Sequence, residues 1–170
     1  MSASVPKRLI RTWRKCMPIE NAGEAGDPSD AALHRSVATS VSQRSSICLD
    51  TNYLIRALVR GTRESDELIR WYQVGEVLLS AAPAWYEFLC GPVAQPQIRV
   101  MRAFLSGGVI AFQEVQAFEA ARLFNAIGRV RRLRIDAMIA ATAILADARL
   151  ATANKDDFTM FVPHGLKLVG

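Results

Sequence analysis

Long apolar runs, histidine and cysteine are all scarce in this sequence of 170 residues. Each shortage disfavours a particular class of protein or kind of site. The apolar run after Asp136 stops at Asp147, short of the ~18 residues that a membrane helix needs, so we predict no membrane span. The start, MSASVPKRLIRTWRKCM, has no apolar core or cleavage site, so we predict no secretory signal. The three cysteines are odd in number and lack metal spacing, which is typical of reduced thiols in the cytoplasm. We expect Cys48 and Cys90 to be buried.

Several common kinds of active site are also missing. His34 and His164 each stand alone, without a second ligand at metal spacing, which disfavours a zinc site. No glycine-rich phosphate loop is present, because Gly107-Gly108 and Gly91-Pro92 are typical of turns. No serine or cysteine lies in a nucleophile-elbow pattern. Any chemistry must therefore come from other residue types.

Composition and charge indicate one globular domain with an N-terminal extension. A hydrophobic content of 51% is enough for a single core, and the formal net charge is +5. Residues 1–17 have the spacing of a short basic amphipathic helix, and residues 18–46 are small, polar and weakly patterned, as in a linker. We predict an extension over residues 1–46 and one domain over residues 47–170.

Short apolar segments alternate with segments of helical spacing throughout that domain. The predicted strands are 47–49, 77–80, 109–112, 150–152 and 166–169, and the predicted helices are 53–59, 62–73, 83–90, 95–106, 114–127 and 137–146. Strands that are apolar throughout and alternate with helices are typical of parallel sheets covered on both sides. The sequence therefore predicts an α/β fold, with a mostly parallel central sheet and helices on both faces.

Acidic side chains recur at corresponding places in this pattern. Asp50 ends the first strand, Glu87 follows the second within an apolar helix, and Asp136 heads the buried helix. Asn154 and Asp157 follow a late strand. Sites in open α/β sheets lie outside the carboxyl ends of the strands, so we expect these side chains to meet at one edge.

Each acid also has an ordinary structural interpretation. Asp50 and Asp136 could be helix N-caps. Glu87 could form a salt bridge with Arg99 or Arg102. Asp156, beside Asp157, is expected to lie in an exposed turn. Four acids at corresponding positions nevertheless favour a site. Carboxylates crowded together repel one another unless a cation lies among them, and hard oxygen ligands without His or Cys suit Mg²⁺ or Mn²⁺.

Four segments together resemble the PIN-domain ribonucleases, and in particular the VapC-type toxins of toxin–antitoxin pairs. They are Leu49-Asp50-Thr51-Asn52, Trp85-Tyr86-Glu87-Phe88-Leu89, Asp136-Ala137-Met138-Ile139-Ala140-Ala141-Thr142-Ala143 and Thr152-Ala153-Asn154-Lys155-Asp156-Asp157-Phe158. The resemblance covers residues 47–170 and implies a three-layer PIN-like fold. It further implies Mg²⁺-dependent hydrolysis of RNA phosphodiester bonds in the cytoplasm.

The resemblance also assigns roles to individual residues. Asp50 and Asp136 would be the central metal ligands, and Glu87 and Asp157 would complete the catalytic cluster. Supporting or substrate-orienting roles fall to Thr51, Asn52, Thr152 and Asn154. Whether Asn154 contacts the metal or only positions Asp157 stays open.

The resemblance implies two kinds of partner besides RNA: a cognate antitoxin laid across the acidic cleft, and a second copy in a homodimer or larger assembly. Four arginines upstream of the buried helix are candidates for contacts with the RNA backbone, or else a solvated loop or a docking surface; they are Arg129, Arg131, Arg132 and Arg134. Two alternatives are a catalytically silent PIN-fold module that binds RNA or antitoxin, and a lone PIN nuclease in RNA processing. A haloacid-dehalogenase-like phosphoryl transferase is disfavoured, because Asp50 is not followed by a second acid two residues on.

Overall fold

The computed structural model describes residues 45–170, and its centre is a five-stranded sheet. The strands are β1 (Ser46–Leu49), β2 (Val77–Ala81), β3 (Gly108–Ile110), β4 (Ala148–Ala151) and β5 (Lys167–Leu168). They lie in the order β3-β2-β1-β4-β5, and every neighbouring pair is parallel. The predicted parallel sheet is confirmed.

Helices connect consecutive strands. They are α1 (Thr51–Ala57), α2 (Arg63–Val74), α3 (Ala82–Cys90), α4 (Gln95–Phe104), α5 (Glu114–Ala126), α6 (Arg134–Leu145) and α7 (Lys155–Thr159). Local signals explain their ends: the Thr62 hydroxyl caps α2, Pro83 lies in the first turn of α3, and Gly75 ends α2 at a positive φ of 82°. A left-handed residue at this position is typical of a helix C-terminus.

Two hydrophobic clusters cover the two faces of the sheet. Leu49 and Leu78 contribute to the cluster that also contains residues of α1 to α4, such as Phe88. Cys48 and Leu150 belong to the other cluster, which is supplied by α5, α6 and the segment around α7. Alternate residues of β1 thus enter different clusters, which is why the strand is apolar throughout. The predicted three-layer α/β arrangement is confirmed.

The direction in which successive strands are added reverses between β1 and β4. The acids lie at the carboxyl ends of these strands, where this reversal occurs. Connections from β1 run outward through β2 to β3, whereas β4 lies on the other side of β1. The carboxyl ends of both strands stay joined where the Asp50 amide donates to the Ala151 carbonyl at 3.0 Å. Such a reversal opens a crevice at the carboxyl edge of the sheet, where ligands bind.

The differences from the sequence predictions are mostly at element ends. The first helix begins at Thr51, directly after Asp50, rather than at residue 53, and a short helix α7 replaces the expected turn. Cys48 is buried as expected, but the prediction for Cys90 is wrong: it is exposed at the last residue of α3.

In the described part, no helix is long and apolar enough to cross a membrane. The extension predicted for residues 1–46 falls, but for its last two residues, outside the described residues and stays a prediction.

Candidate active site

Asp50 lies between β1 and α1 and is almost fully buried, with 3% of its surface exposed. It occupies the N-cap position of α1, yet its side chain makes no capping hydrogen bond. Its Oδ2 instead accepts a hydrogen bond from Thr152 Oγ1 at 2.9 Å. Burial raises the pKa of Asp50 and the charge of Glu87 adds to the rise, while the Thr152 hydroxyl and the nearby backbone amides of Thr51 and Asn52 oppose it. The hydrogen bond of the Asp50 side chain thus comes from the segment after β4, while its place at the start of α1 is that of an N-cap residue.

Asp136 lies in the first turn of α6, three residues after the N-cap position, which Leu133 occupies. Its interpretation as an N-cap is therefore wrong. Burial raises its pKa to about 6, and the charges of Asp50, Asp157 and Glu87 contribute in that order. The folding of the chain thus brings all four predicted acids close enough to disfavour the charged form of Asp136.

Glu87 faces the same site from α3. Its Oε2 accepts a hydrogen bond from Thr51 Oγ1 at 2.6 Å. No salt bridge joins it to Arg99 or Arg102 within residues 45–170; instead, the Arg102 guanidinium lies 6.0 Å from the Trp85 ring centre. The salt-bridge interpretation of Glu87 is wrong.

Asp157 lies on α7, where two side chains engage its two oxygens. Asn154 Nδ2 donates to Asp157 Oδ2 at 2.5 Å, and Arg132 Nη1 forms an ion pair with Oδ1. The Arg132 guanidinium, followed by the Asn154 amide, lowers the pKa of Asp157. Asp156 is exposed, as expected. Of the two roles left open for Asn154, the observed contact is the one to Asp157.

Thr152 contacts both Asp50 and the segment that carries Asn154 and Asp157. Its hydroxyl donates to Asp50 and also accepts a hydrogen bond from the Asn154 backbone amide at 3.0 Å. From the sequence, Thr152 had only a supporting role, without a named partner. The contact with Asp50 depends on β1 and β4 being neighbours, and the 102 residues between Asp50 and Thr152 hide it. Asn52, by contrast, is exposed on α1.

The four arginines predicted as a cluster make different contacts. Only Arg132 contacts an acid of the site. Arg129 Nε donates to Asn125 Oδ1 at 2.8 Å, and the Arg134 guanidinium lies 5.9 Å from the Phe124 ring centre. Arg131 is exposed in the same short 3₁₀ turn as Arg132. The sequence placed these four cations together, but it did not indicate which of them reaches the acids.

Comparison with known proteins agrees with this geometry. Residues 47–160 match the PIN domain family. The chain belongs to the PIN domain family. All four acids lie within the matched range. No curated protein matched in a separate comparison.

Several solved structures share this PIN fold. One chain of a toxin–antitoxin complex from Klebsiella pneumoniae is 27% identical, with a TM-score of 0.52, and the match covers 66% of this chain and 89% of that one. A chain of VapBC2 from Rickettsia felis bound to promoter DNA is 18% identical, with a TM-score of 0.54, over 73% and 97% of the two chains. FitAcB from Neisseria gonorrhoeae is 16% identical, with a TM-score of 0.56, over 73% and 96%. The last two likenesses are evidence of the fold, and the first comes from a toxin–antitoxin complex, as expected for a VapC-type PIN domain.

PIN domains typically use divalent metal ions, and the acids of this one suit such an ion chemically. Burial and mutual repulsion raise the pKa values of Asp50 and Asp136, so a cation beside them would stabilise their charged forms, and the donors are carboxylate oxygens. Within residues 45–170, however, no three His, Cys, Asp or Glu side chains are grouped closely enough to hold a metal as they stand. Arg132 already neutralises Asp157. The donor chemistry fits the ion, and the side chains would have to converge to bind it.

Proposed function

We propose that this PIN domain is an endoribonuclease that depends on Mg²⁺ or Mn²⁺ and acts as the toxin of a toxin–antitoxin pair. The observation that carries the proposal is that the fold brings Asp50, Glu87 and Asp157 near Asp136, where burial first and then the charges of these three acids raise the pKa of Asp136 to about 6. Such crowding destabilises the empty site and would be relieved by a divalent cation. A fold that needed these acids only for its own stability would not bring them together.

In the proposed mechanism, Asp50 and Asp136 hold the ion, and Glu87 and Asp157 complete the acidic cluster. When bound, such an ion lowers the pKa of water and neutralises the charge that develops on the attacked phosphate. The residues of the chain fix the geometry: Thr152 holds Asp50, and Thr51 holds Glu87. Preorganised side chains of this kind lower the barrier because they need not reorient during the reaction.

The proposed antitoxin would cover the same acidic edge. A similar chain lies in the toxin–antitoxin complex from Klebsiella pneumoniae, and this supports a protein partner for this chain as well. A basic side chain of the antitoxin reaching the carboxylates would give inhibition by charge neutralisation. We also propose a homodimer or larger assembly, which the molar mass in solution would test.

One observation favours a second candidate, a PIN module that binds RNA or antitoxin without cleaving RNA. Arg132 lies against Asp157, and the cluster is not grouped tightly enough to hold a metal as it stands. In that case the cation that balances the acids would be Arg132 itself. Addition of Mg²⁺ would then neither stabilise the protein nor cause cleavage.

The decisive experiment compares the wild type with the variants Asp50→Asn and Asp136→Asn. Each is expressed in cells, and the ends of the cleaved RNA are mapped; the purified proteins are then assayed on RNA with Mg²⁺, Mn²⁺ or excess chelator. We expect cleavage by the wild type with either ion and none by the two variants, since each loses a carboxylate that holds the ion.

Asp156→Asn is the matched control, because it removes the same charge from an exposed position near the site. We expect it to cleave as the wild type does. Full activity in excess chelator would refute metal dependence, and activity in Asp136→Asn would refute the assigned site. Wild-type protein that cleaves no RNA and gains no thermal stability from Mg²⁺ would favour the silent module.

A further inference from the structure

Exposed apolar side chains lie on the two helices that meet beside the acids. Ile55 of α1 is 39% exposed and lies one turn after Thr51, on the same side of that helix. Cys90 of α3 is exposed and lies on the same side as Glu87, and Tyr86, one turn before Cys90, is 65% exposed. Because Thr51 donates to Glu87 across the two helices, these exposed side chains flank that contact. We call Ile55, Tyr86 and Cys90 the α1–α3 surface.

Within the described part of the chain, three of the four neighbouring acids have no cationic partner. Arg132 pairs with Asp157, whereas Asp50, Glu87 and Asp136 form no salt bridge among residues 45–170. Threonine hydroxyls donate to Asp50 and Glu87, but a hydroxyl carries no charge that would offset a carboxylate. The α1–α3 surface and these acids together therefore suit a partner that is both apolar and positively charged.

The sequence of residues 1–17, which lie outside the described residues, combines these two properties. It contains no acid and five basic residues. These are Lys7, Arg8, Arg11, Arg14 and Lys15. At the predicted helical spacing, Leu9, Trp13 and Cys16 fall on one face. Such a segment complements an apolar surface that is bordered by unpaired carboxylates.

The intervening chain is long enough to bring this segment to the acids. The described part begins at Ser45, at the amino end of β1, and Asp50 follows the carboxyl end of the same strand, about 16 Å away. Residues 18–44 connect the segment to Ser45, and even a fully helical chain of that length would span about 40 Å. The segment can therefore pass from one edge of the sheet to the other.

We propose that residues 1–17 dock on the α1–α3 surface of the same chain and place basic side chains at the acidic edge. The apolar face that contains Trp13 covers Ile55 and Tyr86, and the basic side chains offset the unpaired carboxylates. The segment then excludes RNA and the metal ion from the acids, so the protein is inhibited by its own N-terminal segment. This inhibition rests on the proposed function, whereas the docking itself does not.

The first test uses two cysteines of the full chain, Cys16 in the segment and Cys90 on the α1–α3 surface. Brief oxidation with diamide, followed by peptide mapping, measures how fast a disulfide joins them within one chain; Cys48 is fully buried and does not compete. The control combines Cys16→Ser with Ser29→Cys, which moves the thiol closer to the domain along the chain. Docking predicts about tenfold faster reaction from position 16, although position 29 has the shorter tether. Equal rates, or disulfides only between two chains, would overturn the docking.

Substitutions on both sides of the contact test which surface is used. Trp13→Ala and Ile55→Ala should each slow the disulfide between Cys16 and Cys90 roughly threefold or more, because each removes apolar contact area. Val115→Ala is the matched control, since Val115 is an exposed aliphatic residue on α5, 53% exposed. A loss of rate in Val115→Ala that equals the loss in Ile55→Ala would refute the assigned surface.

Cleavage of RNA by the full chain gives a test of sign. Arg11→Gln with Arg14→Gln should raise the rate roughly three- to tenfold if the segment covers the acids, and should lower it if the segment is an RNA-binding arm. Arg35→Gln with Arg44→Gln removes the same charge between the segment and the domain and serves as the control. A lower rate, or equal changes in the two double variants, would overturn the inhibition. If no protein cleaves RNA while the disulfide still forms rapidly, the docking stands and the proposed function fails.

Discussion

Replacing Asp136 by asparagine should stabilise the metal-free protein at neutral pH while it abolishes cleavage. Asparagine keeps the size and shape of the side chain in the first turn of α6 but removes its charge. The neighbouring charges of Asp50, Asp157 and Glu87 then lose a repulsive partner. A gain in stability with a loss of function is typical of residues that serve a site rather than the fold.

The size and pH dependence of the effect follow from the pKa. Folding raises the pKa of Asp136 from 3.8 to about 6, and one pKa unit corresponds to about 1.4 kcal/mol. The full shift would give ~3 kcal/mol, and solvent screening of this half-buried group reduces our expectation to about 1–2 kcal/mol. The raised pKa favours the folded state while Asp136 is protonated, so this stability is complete below pH 3.8 and lost as the pH rises through about 6. The gain from Asp136→Asn should therefore appear at neutral pH and vanish near pH 3.8.

Urea unfolding of chelator-treated protein measures this gain at two pH values, one above pH 6 and one near pH 3.8. Asp156→Asn provides the control, because the same substitution at an exposed position should change the free energy of unfolding by less than about 0.5 kcal/mol. A loss of several kcal/mol in Asp136→Asn would mean that the carboxylate supports the helix, and would refute the reasoning. A gain that is equal at both pH values would also refute it, because the effect would not come from ionisation.

Two further predictions concern the contacts around the acids. Thr152→Val should lower the free energy of unfolding by about 1–2 kcal/mol and slow RNA cleavage, because it leaves the buried Asp50 without its 2.9 Å hydrogen bond; unchanged stability would show that the bond is unimportant. Arg132→Ala should strengthen Mn²⁺ binding, measured by calorimetry, by roughly two- to fivefold, because the guanidinium competes with the ion for Asp157. Arg131→Ala removes the same charge from the same turn and should have a smaller effect; equal effects would mean that only net charge matters.

The sequence predicted the sheet because the evidence for it is local. Strands buried on both faces must be apolar throughout, as Ile47-Cys48-Leu49 and Val77-Leu78-Leu79 are, and this pattern is visible without a structure. The placement of Asp50 and Asp136 at one edge followed from general rules for parallel sheets. Element ends were less certain, since Thr51 and Tyr53 are equally compatible with the start of a helix.

What the sequence could not predict depends on side chains that are distant along the chain. The exposure of Cys90 depends on which face of α3 meets the core. The hydrogen bond from Thr152 to Asp50 requires β4 to lie beside β1, and the ion pair of Arg132 with Asp157 requires the 3₁₀ turn before α6 to lie against α7. Neither contact has a signature in the residues next to it.

By itself, the sequence determined the fold class, because the pattern of apolar residues along strands and helices is local. It also indicated which four acids would meet at one edge of the sheet. Only the tertiary structure decided which side chains offset the negative charge of those acids. It placed Arg132, alone among four arginines, against Asp157, and it brought the Thr152 hydroxyl to the buried carboxylate of Asp50. Electrostatic interactions depend on distance in space, so the charge balance of the site is a property of the folded chain.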